Sequence, residues 1–123
     1  MNMHKEFFAR LTGGQKRQLK RDAERAKAAL EKRGWTRGTL ENYNGEVCAL
    51  GAVYYGVYGK TALGYREHTI PKDDRVTLLG EAIERIINDR GYGCSVPTYN
   101  DSIAKRKNQI TTLFDRVAKL STE

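Results

Sequence analysis

Two cysteines, two prolines and two histidines are all that this chain of 123 residues holds of the side chains that build disulfide frameworks, rigid linkers and most metal sites. Cys48 and Cys94 are too few for a disulfide framework. A chain of this length buries about two thirds of its unfolded surface without such staples. His4 and His68 lie far from the cysteines in sequence, with no CxxC or HxxxH spacing, so no metal and no cofactor are expected. No stretch approaches the ~20 apolar residues of a membrane span. The longest apolar stretch, Val47 to Tyr58, reads instead as a buried helix. Met1 to Arg10 has no apolar run of the signal-peptide kind, so the expected compartment is the cytosol, where thiols stay reduced. Phosphate-binding loops are missing too: Gly91-Tyr92-Gly93 follows a helical pattern rather than a strand.

What is plentiful is positive charge in one place. Residues 1–40 hold 11 Lys+Arg against 4 Asp+Glu, whereas residues 41–123 hold 11 of each sign, so the net +7 belongs to the first third. Lys16, Arg17, Lys20, Arg21, Arg25 and Lys27 crowd one predicted helix. Lys20 with Glu24 and Lys27 with Glu31 stand four apart and can pair, but Arg17, Arg21 and Arg25 form an unmatched row at the same spacing. Such a row costs a few tenths of a kcal/mol per pair, roughly, unless an outside anion relieves it. The bland alternative is a solvated helix whose charge aids solubility.

The hydrophobic pattern predicts a mainly α fold (α+β in detail). About four helices surround a buried central helix, and a small two-stranded β-hairpin lies on them. Residues 1–14 form an N-terminal turn or extension with Phe7, Phe8 and Leu11 as anchors, ended by Thr12-Gly13-Gly14; residues 15–123 form a single helical domain. Leu19, Ala23, Ala26 and Leu30 make the apolar stripe of a helix over Gln15 to Arg33, closed by Gly34. Trp35 to Asn42 and Gly45 to Cys48 flank Asn44-Gly45 and are expected to pair as the hairpin. Ala49 to Tyr58 is the central helix. Lys72 to Arg90 and Lys105 to Leu120 are amphipathic helices, with Val76, Leu79, Ile83, Ile86 and Ile87 on one face of the first and Ile110, Leu113, Phe114 and Val117 on one face of the second. Cys94 to Ser102 reads as an irregular segment around Pro97.

Four pieces of the chain, Gly34-Trp35 with Gly38, Gly45 to Ala52 (GEVCALGA), Pro97 to Asp101 (PTYND) and Leu113 to Arg116 (LFDR), occur in an order and spacing that resembles a family of small proteins of actinobacteria and their bacteriophages. The resemblance runs from roughly Ala23 to Lys119. Members of that family more often carry Trp where this chain has Tyr99, and the basic segment before Ala23 is not part of the pattern. The family has no assigned activity, so the resemblance implies a phage or prophage source and a host bacterial cytosol, but no mechanism.

Three readings of function follow. The first is a non-enzymatic protein that contacts nucleic acid, or another polyanion, through the basic helix. The second is a protein-interaction module that binds a host protein, with self-association as a variant. The third is an enzyme or small-ligand site centred on Cys48, whose place at a helix start favours a thiolate, with His68, Asn100 and Asp101 as base and orienting groups. Against the third, a cysteine among Val47, Ala49 and Leu50 is ordinary core packing, and Asn100, Asp101 and Ser102 serve turns and helix starts. Tyr54, Tyr55 and Tyr58 read as core or core edge; Tyr43, Tyr65, Tyr92 and Tyr99 fall in loops, where they can stack on bases or anchor interfaces.

Overall fold

A computed structural model describes residues 3–59 and 74–122. Within them the chain forms α1 (Met3–Ala9), α2 (Gly13–Arg33), α3 (Ala49–Tyr58), α4 (Asp74–Asp89), a short helical turn α5 (Val96–Thr98), a π-helical turn (Tyr99–Ile103) and α6 (Lys107–Leu120). The fold is mainly helical. His68 and Tyr65 lie outside the described residues, as does Lys72 at the predicted start of α4.

Local chemistry sets the limits of α2. The Thr12 hydroxyl accepts from the Gln15 amide at 3.1 Å while the Gln15 side chain accepts from the Thr12 amide at 2.9 Å. This reciprocal capping box satisfies two otherwise orphaned donors, so the helix starts at Gly13, two residues ahead of the expected Gln15. At the other end Gly34 takes φ 92° and its amide donates to the Leu30 carbonyl. Between them Leu19, Ala23, Ala26 and Leu30 are all buried, as the periodicity requires.

α2 is the element on which α3, α4 and α6 all pack, with α1 laid against α4. The predicted central helix, α3, is buried along most of its length but shares the interior with α2 rather than being encircled. Its Gly56 lies directly on the α2 backbone: a Cβ there would stand 2.6 Å from the Asp22 carbonyl oxygen and 2.9 Å from the Ala26 nitrogen. The small residues of both helices permit this approach. The apolar faces of α4 and α6 close the core with Leu79, Ile83, Ile87, Ile110, Leu113, Phe114 and Val117, none more than 1% exposed. Asp22, buried on α2, is held by the Arg75 guanidinium at 2.6 and 3.1 Å and by the Gln18 amide at 3.0 Å, which ties α4 to α2.

The predicted β-hairpin is absent: among the described residues there is no strand, only two isolated bridges onto Val47. Trp35 pairs with it in parallel and Glu41 in antiparallel fashion. The Asn44-Gly45 turn does form, with Gly45 at φ 82° and its amide donating to the Asn42 carbonyl. The strands fail for two reasons. The Gly38 amide is drawn away to Asp101, bending residues 37–40 onto the π-helical turn, and Cys48 is consumed as the N-cap of α3. Among the described residues no helix is long and apolar enough to cross a membrane.

Candidate functional site

Two arrangements stand out from the core packing. The first is the outer face of α2. Arg17, Arg21 and Arg25 are all exposed, and among the described residues none of them has an ion-pair partner. The helix's own acids do not relieve them: Asp22 points inward to Arg75, Glu31 stands beside Lys27, and Glu24 pairs with none. The expected Lys20–Glu24 pair is not made. Lys27, counted with the basic cluster in the sequence, is turned the other way. It binds Asp115 of α6 at 2.8 Å and stands 3.9 Å from Glu31, and its pKa is raised chiefly by the hydrogen bond to Asp115. Lys16 and Lys20 are half-buried on the flanks of the helix.

The four-residue row does not stop at Arg25. Continued through Ala29 it reaches Arg33, a residue the sequence reading did not include, although extending the same spacing by two steps finds it. Arg33 donates to Glu41 at 2.8 Å and to the Gly45 carbonyl at 3.1 Å, and its guanidinium lies 4.3 Å from the centre of the Tyr55 ring. Tyr55 in turn donates to the same Glu41 oxygen at 3.1 Å. The row therefore ends by gripping the turn between the bridge residues Glu41 and Val47.

The second arrangement joins three pieces that are distant in sequence. The π-helical turn widens the backbone by one residue, closing with the Ala104 amide on the Tyr99 carbonyl at 2.9 Å, and buries Asn100 completely. The Asn100 carbonyl oxygen accepts from the Trp35 indole at 2.7 Å and from the Ala49 amide at 2.9 Å. Its amide nitrogen donates to the Thr36 carbonyl at 3.1 Å and to Asp101 at 2.8 Å. Both lone pairs and both protons are used, which is the full capacity of the group. Asp101 also accepts from the Gly38 amide at 2.9 Å, and Arg37 lies over the Trp35 ring at 5.0 Å and donates to the Ala104 carbonyl. Expected to serve its own turn, Asn100 instead cross-links distant segments. Trp35 entered the sequence analysis only in the Gly34-Trp35 motif and at the start of the expected hairpin, and Arg37 not by name, because their hydrogen-bond partners Asn100 and Ala104 lie more than sixty positions away.

Cys48 lies beside this junction, at the edge of a cavity of about 190 Å³ lined with Gly38, Leu50, Pro97 and Asp101 among others. That is smaller than the roughly 300 Å³ at which ligand pockets begin. Its sulfur accepts from the Gly51 amide at 3.3 Å and it is 6% exposed. Burial pushes the thiol above its ordinary range; the Gly51 and Leu50 amides offset this only in part, and the Asp101 charge adds to it. A thiol held in this way is the opposite of an activated nucleophile. Iodoacetamide at neutral pH is therefore expected to label half-buried Cys94 first and Cys48 only on unfolding, as read by peptide mass spectrometry. Equal labelling of both in the folded protein contradicts this. The raised value also fixes the sign of its pH effect. The unfolded chain loses the thiol proton first, so stability is unaffected at neutral pH and falls as pH rises from the ordinary thiol range through the folded value.

Of the loop tyrosines, Tyr99 is buried and meets Tyr92 edge-on at 5.6 Å, whereas Tyr43 is fully exposed. Among the described residues no group of three or more His, Cys, Asp or Glu side chains is placed to hold a metal ion. Neither the curated proteins nor the solved structures contain a match to the chain. A family model does match, over residues 15–120, a span that takes in the arginine row, the Asn100 junction and all of the core except α1. The chain belongs to that family, described as a family of unknown function, DUF6197.

Proposed function

We propose that this protein is a non-enzymatic binding protein that uses the outer face of α2 to contact the phosphates of nucleic acid. The observation that carries the proposal is the row Arg17, Arg21 and Arg25, exposed and without carboxylate partners among the described residues, on a helix fixed by three others. Rigidity matters because a helix that is already immobile loses little entropy on binding. Arginine suits the task, since its planar fork matches phosphate oxygens two at a time. Contacts of this kind position a nucleic acid without reading its bases. The cytosol of a bacterial host is the expected place of work, and the motif pattern described above supports a phage or prophage source. A buried Cys48 and an Asn100 side chain whose hydrogen-bonding capacity is filled favour this reading over one centred on Cys48.

The test is a fluorescence anisotropy titration over a range of salt concentrations. Binding is expected to weaken with salt, and the triple substitution Arg17→Gln, Arg21→Gln, Arg25→Gln to flatten the log–log slope by about 0.7 to 0.9 per arginine. Lys27→Gln, which breaks the pair with Asp115, is expected to leave the slope unchanged. No binding at low salt, or an unaltered slope in the triple variant, rejects the proposal.

A further inference from the structure

The turn reached by the arginine row has an unusual construction. Asn42 fixes its backbone almost single-handedly: its side-chain oxygen accepts from the Asn44 and Glu46 amides, each at 3.0 Å, and its side-chain nitrogen donates to Glu46 at 2.7 Å and Thr36 at 3.2 Å. Backbone bonds from Asn42 to Glu46 and from Gly45 to Asn42 close it, and Arg33 holds the Gly45 carbonyl from α2. Within this frame Tyr43 is fully exposed, and its ring and hydroxyl have no partner among the described residues. A large aromatic side chain left wholly in water costs hydrophobic free energy, and the scaffold below it is too well bonded for the position to be a slack loop tip. Tyr43 also stands at the rim of an open cavity of about 680 Å³ whose other lining includes Arg33, Thr39 and Asn42. Both nearby carboxylates are engaged, Glu41 by Arg33 and Tyr55, and Glu46 by Asn42.

We infer that Tyr43 is a stacking platform for a base of single-stranded nucleic acid whose phosphates follow the α2 arginines. This rests on the reading of α2 given above. Successive members of the row rise about 6 Å and turn about 40°, so the free charges Arg17 to Arg25 span about 12 Å, and two further steps, through uncharged Ala29, bring the helix to Arg33, which is paired with Glu41 and holds the turn carrying Tyr43. A basic track leading to an exposed aromatic ring is the combination that binds single strands: charge follows the backbone, and the ring takes a base whatever its identity. Paired bases in a duplex offer no free face to such a ring.

The experiment is an anisotropy titration with labelled oligothymidylate and oligouridylate of about 12 nucleotides, with a duplex of equal length, and with inorganic polyphosphate as an unlabelled competitor. Tyr43→Ala is expected to weaken binding of the single strands about tenfold, Tyr43→Phe to stay within about twofold, and neither to change the salt slope or the competition by polyphosphate. Because the side chain touches nothing in the fold, both variants are expected to melt with the wild type. The DNA and RNA oligomers separate the two sources of single strand. Unchanged affinity in Tyr43→Ala, or tighter binding of the duplex, overturns the inference while leaving the arginine row in place. Absence of binding to every one of these anions overturns both.

Discussion

Replacing Asn100 with alanine is expected to lower the melting temperature by about 10–20 °C, a loss of about 3–5 kcal/mol. The side chain is fully buried and makes four hydrogen bonds. Its removal strands the Trp35 indole and the Ala49 amide without an acceptor, and a buried unsatisfied donor costs about 1–3 kcal/mol. The Thr36 carbonyl and Asp101 lose a donor as well. Native stability of a domain is only about 5–15 kcal/mol, so this one change removes a large share of it. Asn100→Asp is expected to cost as much, because it turns an oxygen toward the Thr36 carbonyl and the Asp101 carboxylate where an amide now donates. Thermal unfolding followed by circular dichroism measures both variants. A melting temperature within a few degrees of wild type for either one, on the scale of about 4 °C per kcal/mol, would show that the junction is ornamental.

Gly51→Ala is expected to be at least as damaging, and for a purely steric reason. A Cβ at this position would lie 2.1 Å from the Leu40 carbonyl oxygen, 3.1 Å from its carbon and 3.2 Å from the Val47 Cβ. The obstacle is backbone, which cannot rotate aside. The same Leu40 oxygen accepts from the Cys48 amide at 3.2 Å, and Gly51 itself donates to the Cys48 sulfur. To admit one methyl group, α3 must lift away from the 34–48 segment and give up both bonds. The cost exceeds the roughly 1–3 kcal/mol typical of overpacked cores. The control is Gly80→Ala in α4, where apart from its own helix backbone nothing lies within 4 Å of the new Cβ. There the better helix former is expected to raise stability by about 0.5–1 kcal/mol. Equal behaviour of the two alanine variants in urea unfolding would overturn the steric argument.

How far each feature could be read in the sequence depends on the range of the interactions behind it. The stripe Leu19, Ala23, Ala26 and Leu30, the faces of α4 and α6, and the cap at Gly34 were all legible, because helix periodicity and capping act over one or two turns. The Asn44-Gly45 turn was legible for the same reason. The strands beside it were not, because whether two short segments pair depends on what else claims their backbone. Here Asp101 claims the Gly38 amide and α3 claims Cys48. Nothing in the local sequence marks Asp22; only the position of Arg75, fifty-three residues later, makes it a buried anchor.

The amino-acid sequence alone determined that the chain is mainly helical, where the core-facing stripes lie, and that the excess positive charge sits in residues 1–40, since these follow from residue type and spacing. Tertiary structure decided which charges remain available. It withdrew Lys27 and Asp22 into ion pairs, left Arg17, Arg21 and Arg25 in solvent, and joined their row through Arg33 to the turn that presents Tyr43. The physical reason is that a charge or an aromatic ring becomes a binding group only when the fold supplies no partner for it, and partners come from anywhere in the chain.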